Sequence, residues 1–416
     1  MTTKETKTIL VIGTFDTKSD ELIYLADRIV AQGGRALTMD VSVLGGPMRP
    51  TDISKHDVAE AGGSSIQTAI ASGDENTAMQ IMARGASILT ARLHAEGKID
   101  GMIAMGGTMG TDLALDCARA LPLGVPKYVI STVAYSPLVP ADRLAPDIQM
   151  ILWAGGLFGL NSICKSSLSQ AAGAVLGSAQ SVETPKRDRP IIGMMSLGSS
   201  CLSYMRLLKG PLEERGFELA VFHATGMGGM AFENLAAQGY FCAVMDFALP
   251  ELGNLLVGSI VNGGKDRLVS AGQNKVPQLV APGCVDLIDF PSWQDIPARF
   301  AGRPCHAHNR LISSAALNAQ ERRETAREIG HRLAKALAPV HVILPIQGIE
   351  EWDREGQPAH DPAGLAAFLD EMRSAIRHPV ELTEIDAHIN DALFAETVLG
   401  IFDDWVDRGI VKKALQ

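Results

Sequence analysis

Short apolar runs alternate with longer amphipathic stretches along this chain, and few folds accept that rhythm. Lys7–Ile12 (KTILVI), Ala36–Val41, Gly101–Met105 and Tyr128–Ser131 are short, apolar and bounded by small polar residues, which marks them as strands. Asp20–Ile29 and Asp112–Leu121 read as helices between them. A longer helix is capped by Asp74, carries Met82, Ala86, Leu89 and Leu93 at spacings of four, three and four, and ends before Gly97. Strands that alternate with helices build a mostly parallel sheet covered on both faces.

The rhythm breaks at 181–190 (SVETPKRDRP), a polar, charged stretch with two prolines that reads as a linker. It then restarts, with strands at Pro190–Met195, Leu219–Phe222, Ala243–Asp246, His341–Leu344 and Val380–Ile385. Helices are expected at Cys201–Arg215, Ser313–Leu337 and Ala392–Trp405, and an Ala/Ser/Gly-rich one at Asn161–Gln180, suited to close packing. At 416 residues the chain exceeds one ordinary core. The expectation is an α/β protein of two Rossmann-like domains with mostly parallel sheets: residues 1–182, the nucleotide-binding domain, and residues 188–416.

Composition narrows the function. A net charge of −10 argues against nucleic acid as a partner. No stretch approaches the ~20 apolar residues that span a bilayer, and Met1–Lys7 is polar rather than a signal segment. The six cysteines lie far apart with no C-x-x-C pair, as reduced thiols do in a cytoplasmic protein. The expectation is therefore a cytoplasmic protein that does not engage a membrane.

In open α/β sheets ligands bind outside the carboxyl ends of the strands. Three such loops in the first domain carry small polar residues: Gly13, Thr14, Asp16, Thr17 and Lys18; then Gly106, Gly107, Thr108, Gly110 and Thr111; then Ser131 and Thr132. Glycines let backbone N–H groups turn toward an anion, hydroxyls add donors, the next helix offers its positive end, and Lys18 adds a full charge. The first loop lacks P-loop spacing and the second fails the dinucleotide fingerprint at its last glycine, so the three together, rather than any one, point to a phosphorylated ligand.

The second domain carries acid, base and amide groups at its expected strand ends: His223 with Gly226–Gly229, Asp286, His306 and His308 with Asn309, and His388 with Asn390 and Asp391. His-x-His on a strand puts both rings on one face, as a metal pair would have them. With no further ligand motif beside it, a general acid/base site is the preferred reading and no metal is expected. In that reading His223 or His388 carries the proton, Asp391 or Asp286 orients it, Gly226–Gly229 cradles an anion, and at least two of the four histidines face a groove between the domains.

Taken in order, GTFDTK at 13–18, GGTMGT at 106–111, STVA at 131–134, GLNSI at 159–163, FHATGMGG at 222–229, HAHN at 306–309 and HIND at 388–391 resemble the Tm-one-like ATP-binding family. The resemblance covers nearly all of residues 8–408. It implies two α/β domains, ATP, with or without magnesium, on the first-domain loops, and a homodimer. Tyr135-Ser136 stand where the family places Ser-Gly, and a tyrosine there is expected to narrow the space by the third loop. Two functions follow as expectations. One is an enzyme of hydrolase or lyase type acting on a small anionic, oxo-acid-like substrate; the other is a nucleotide-dependent binding or regulatory protein without turnover.

Overall fold

A computed structural model describes residues 5–155, 159–186 and 188–413. Contacts divide the chain into two units, Met1–Pro185 and Lys186–Gln416. The N-terminal unit runs β1 (Thr8–Gly13), α1 (Ser19–Ala31), β2 (Arg35–Asp40), α2 (Lys55–Ala61), α3 (Ile66–Ala71), α4 (Glu75–Ala95), β3 (Gly101–Gly106), α5 (Thr108–Arg119), β4 (Lys127–Ser131), β5 (Ile148–Leu152) and α6 (Ser162–Ser181). Its five strands are all parallel, in the order β2-β1-β3-β4-β5.

Side chains alternate across this sheet with period two, as a strand requires. Leu10, Ile12, Met102, Ala104 and Val129 join one apolar cluster with α4 and α5. Their neighbours Ile9, Val11, Ile103, Met105 and Ile130 join another with α1 and α6. Each fully buried Leu, Ile or Met contributes roughly 1.5–3 kcal/mol, so both helix layers are held firmly to the strands between them. The small, weakly charged α6 buries Cys164, Leu168, Ala171, Ala172 and Val175 in this core. Packing inside its own unit thus accounts for that helix's composition.

The C-terminal unit runs β6 (Ile191–Ser196), α7 (Ser203–Glu214), β7 (Glu218–His223), α8 (Met227–Ala237), β8 (Ala243–Asp246), α9 (Pro250–Val257), α10 (Ser270–Gln273), β9 (Gln278–Val280), β10 (Leu287–Pro291), β11 (Cys305–Ala307), β12 (Ile312–Ala316), α11 (Ala319–Leu333), β13 (Val340–Pro345), α12 (Pro362–Ala375), β14 (Glu381–Ile385) and α13 (Ala392–Asp407). Six strands form a parallel sheet in the order β14-β13-β9-β8-β6-β7. Numbered from β6, that order is 2-1-3-4-5-6 from the β7 edge, the same winding as the N-terminal unit. The remaining strands form an antiparallel sheet, β10-β12-β11.

The α/β class and parallel sheets expected from the sequence are present. Two elements differ. Helix α5 starts at Thr108, four residues before the expected Asp112, because Gly107 serves as its N-cap and the glycines that suggested a loop lie in or beside its first turn. The expected helix Ser313–Leu337 is a strand followed by a helix. Ile312–Ala316 pairs with β10, and Asn318 and Glu321 form a reciprocal capping box that sets the start of α11. Arg187, within the expected linker, lies outside the described residues.

The cysteines are free. Cys117, Cys164, Cys201 and Cys284 are buried and Cys305 is exposed. The sulfurs of Cys201 and Cys284 lie 3.3 Å apart. Among the described residues no helix is long and apolar enough to cross a membrane.

Candidate functional site

In the N-terminal unit the strand order reverses direction between β1 and β3, the topological switch point where open α/β sheets form a crevice. A cavity of about 590 Å³ lies there. Residues after β1 supply one wall. Lys18 is the N-cap of α1, its backbone N–H donates to the Thr14 carbonyl at 2.9 Å, and the hydroxyls of Thr14 and Thr17 are 3.0 Å apart. Residues after β3 supply the opposite wall, where Gly106, Gly107, Thr108 and Gly110 meet the space. Neither α1 nor α5 has a side chain capping its first turn. Two helix N-termini with backbone donors uncapped by side chains therefore line one cavity, which suits a bound anion.

Asp16 lines the same space. Its Oδ2 accepts from the Gly45 N–H at 3.2 Å, while Oδ1 is buried without a hydrogen-bond partner. The Lys18 ammonium lies 5.4 Å from the centre of the Trp153 ring. Val41, Leu44, Ile70, Met79 and Met109 give the cavity an apolar side.

Four expected residues stand behind this lining rather than in it. Gly13 is buried, and a Cβ there would overlap Leu22 of α1, so its role is close helix–strand packing. Thr111 and Ser131 are buried and share a 2.7 Å hydrogen bond that ties α5 to the end of β4. Thr132 donates its N–H to the Gly106 carbonyl at 3.3 Å and so positions the second loop. Tyr135 does not narrow the cavity: it is 77% exposed, and its hydroxyl donates to the Met150 carbonyl at 2.6 Å.

The C-terminal unit departs further from expectation. The glycine turn at 226–229 already holds an anion, the Glu251 carboxylate. Gly226 and Gly229 donate N–H groups to Glu251 Oε1 at 2.5 and 3.1 Å. Arg267, fully buried, pairs with Glu251 through Nε at 2.7 Å and also binds Asp246 and Glu233. Burial pushes the Glu251 carboxyl up to about 7, against the opposing pull of Arg267 and the two N–H groups.

His388 is 2% exposed. Its Nδ1 accepts the Asn390 N–H at 3.0 Å, which leaves the ring proton on Nε2, facing the Glu350 carbonyl at 2.9 Å and Asp353 Oδ1 at 3.0 Å. Both ring nitrogens are used structurally, and the expected proton carrier has none to offer a substrate. Asp391 does not touch that ring: its Oδ2 accepts the His388 backbone N–H at 2.9 Å and its Oδ1 pairs with Arg354 at 3.2 Å. Asp286 is fully buried beside Arg322, 3.2 Å away, and burial pushes its carboxyl up. It orients no histidine.

His223 and His308 do come together, lining one cavity of about 200 Å³. The His306 ring packs 4.4 Å from Trp352 and lines a neighbouring cavity of about 150 Å³. Among the described residues no group of three or more His, Cys, Asp or Glu side chains is placed to hold a metal ion.

Residues 7–184 match the N-terminal domain, and residues 189–406 the C-terminal domain, of the uncharacterised protein family UPF0261. This chain belongs to UPF0261. A UPF0261 protein of Brucella melitensis biotype 1 is 55% identical over 405 residues, 97% of each chain. One from Clostridium tetani is 33% identical, covering 94% of this chain and 96% of its own. The ToMV susceptible protein tm-1(GCR26) of Solanum lycopersicum is 27% identical over 95% of this chain, which matches 55% of the tomato protein.

The sequence left out several residues of both sites in this UPF0261 chain. Val41–Leu44 follow β2 with only the Ser42 hydroxyl among apolar side chains, although their place at a strand end was a usable signal. Asp289 and Trp352 sit in the middle of elements too short to show a period. Arg267 meets Glu251 sixteen residues away, across the rest of α9 and the loop that follows it, and no local pattern marks that pairing.

Proposed function

We propose that the cavity at the N-terminal switch point binds a phosphorylated ligand of the ATP class. The observation that carries this reading is the convergence of two helix N-termini without side-chain caps, α1 and α5, on a space also lined by Lys18 and three threonine hydroxyls. Phosphate oxygens would take the Gly107–Gly110 and Thr14–Lys18 donors, and the apolar side at Leu44, Ile70 and Met79 would cover a base. Asp16 Oδ1, buried and unpartnered, fits a magnesium ion carried by the nucleotide, since such ions need only one or two protein carboxylates. Magnesium there would offset phosphate charge.

The proposal includes a homodimer, checked by sedimentation at micromolar concentration. The deciding experiment is calorimetry with ATP, alone and with magnesium, on the full chain and on Lys18→Ala. The expected result is saturable binding that Lys18→Ala weakens by about 1–3 kcal/mol, the range for a charge-assisted hydrogen bond. Equal affinity in the two proteins would take Lys18 out of the site. Binding without ADP or AMP release would favour the regulatory reading over turnover of the nucleotide.

A further inference from the structure

The cavity shared by His223 and His308 is not explained by a nucleotide site. It lies at the carboxyl ends of β6 and β7, where Ser199 and Thr225 reach it, and Asp289, Ser314 and Trp352 close the other side. The His223 ring is held in one orientation. Its Nδ1 is 3.2 Å from Thr225 Oγ1, and its Nε2 faces Gly198. A Cβ at Gly198 would come within 3.4 Å of Nε2, and this residue has φ +46°, so a glycine both adopts the turn and leaves room at that nitrogen. When Nδ1–H donates to Thr225, Nε2 keeps its lone pair and can act as a base. Partial burial of the ring, and then the His308 imidazole nearby, hold the His223 imidazole below its ordinary value, which favours the neutral ring.

Across the small sheet Asp289, Ser314 and His306 are aligned in register. The Ser314 hydroxyl donates to Asp289 Oδ1 at 2.5 Å and fixes that carboxylate, which is 4% exposed. Asn309 spends its carbonyl oxygen on the N–H groups of Leu311 and Ile312, so its remaining capacity is the donating NH₂. Hydroxyl, amide and imidazole donors thus surround one base and one carboxylate. No lysine or arginine lines the cavity among the described residues. Burial pushes the Asp289 carboxyl up, which lessens its repulsion of a substrate carboxylate, and the donors around it match the planar carbonyl and carboxylate of a small acid.

We propose that this cavity is a catalytic site for proton transfer on small oxo-carboxylic acids, with His223 Nε2 as the base and Asp289 and His308 beside the substrate. In the step, Nε2 takes a proton from the carbon next to the substrate carbonyl. The C–H electron pair becomes the C=C bond of an enolate, and the carbonyl π pair moves onto oxygen, where the Ser199 hydroxyl and the Asn309 amide stabilise it. The imidazolium returns the proton to carbon, so the step needs no co-reactant. Thr225 is a positioning residue for the ring.

The test is carbon-bound hydrogen exchange. The full chain, without nucleotide, is incubated in D₂O with pyruvate, 2-oxobutanoate or 2-oxoglutarate, and the C3 protons are followed by proton NMR against heat-denatured protein. The expected result is protein-dependent loss of the C3 signal with at least one acid, reduced at least 100-fold in His223→Gln. Because His223 is exposed, that variant is expected to keep its fold, which circular dichroism checks. Thr225→Val should move the acid limb of the pH–rate profile, and Thr225→Ser should restore it. Absence of exchange with all three acids, or full exchange in His223→Gln, overturns the proposal. Either result leaves the N-terminal cavity untouched, because no nucleotide enters the assay.

Discussion

Both units wind their parallel strands in the same order, and both follow strands with glycine-rich turns, yet they treat the resulting anion sites differently. At the N-terminal switch point the turns after β1 and β3 leave backbone donors around an open cavity. In the C-terminal unit the glycine turn that follows β7 is instead occupied, because the first turn of α9 brings Glu251 to it, held by Arg267. A glycine-rich turn therefore specifies the shape of an anion site but not the anion. Whether the chain fills it depends on a carboxylate delivered from elsewhere.

The largest test of this contrast removes the cation. Arg267→Met would leave Asp246, Glu251 and Glu233 buried together without their shared partner. Chemical denaturation should show a loss of about 3–5 kcal/mol or failure to fold, the usual cost of orphaning a buried charge. A loss below about 1 kcal/mol would mean that the carboxylates are stable without it.

A subtler test uses pH. Because the folded value of Glu251 is raised to about 7, the native state holds this proton more tightly than the unfolded chain does. Its contribution to stability is therefore present below the ordinary carboxylate range and is lost as pH rises toward 7, by up to about 3 kcal/mol. Burial raises Glu233 as well, which adds a trend of the same sign. Glu251→Gln should flatten the slope of unfolding free energy against pH between 4.5 and 7. An unchanged slope would place the pH dependence in other groups.

The smallest test concerns the open site. Tyr135→Phe removes only an exposed hydroxyl's bond to the Met150 carbonyl. Stability should change by less than about 1 kcal/mol, and ATP affinity should stay the same. A clear change in affinity would bring this residue back to the rim of the nucleotide cavity.

The same contrast explains what could be read beforehand. Thr14, Lys18, Gly107 and Thr108 were legible because strand, turn and helix follow each other within a few residues, so local order dictates their meeting. His223 was legible for the same reason. His388 misled because a histidine among Asn and Asp looks alike whether its ring serves a substrate or, as here, the Glu350 carbonyl and the Asn390 N–H. The β10-β12-β11 sheet escaped notice because β11 has three residues and β10 and β12 five each, too few for a clear period.

The placement of the cysteines has a consequence for measuring motion. Cys117 and Cys164 are sealed in the N-terminal unit, Cys201 and Cys284 in the C-terminal unit, and Cys305 is open to solvent. An alkylating reagent should mark Cys305 at once, the partly buried Cys242 more slowly, and the four sealed cysteines only when their surroundings open. Mass spectrometry of the labelled peptides over time would therefore give each unit its own opening rate from a single unmodified sample. Adding ATP to that sample should slow labelling at Cys117 and Cys164 if the ligand binds where the two uncapped helices meet.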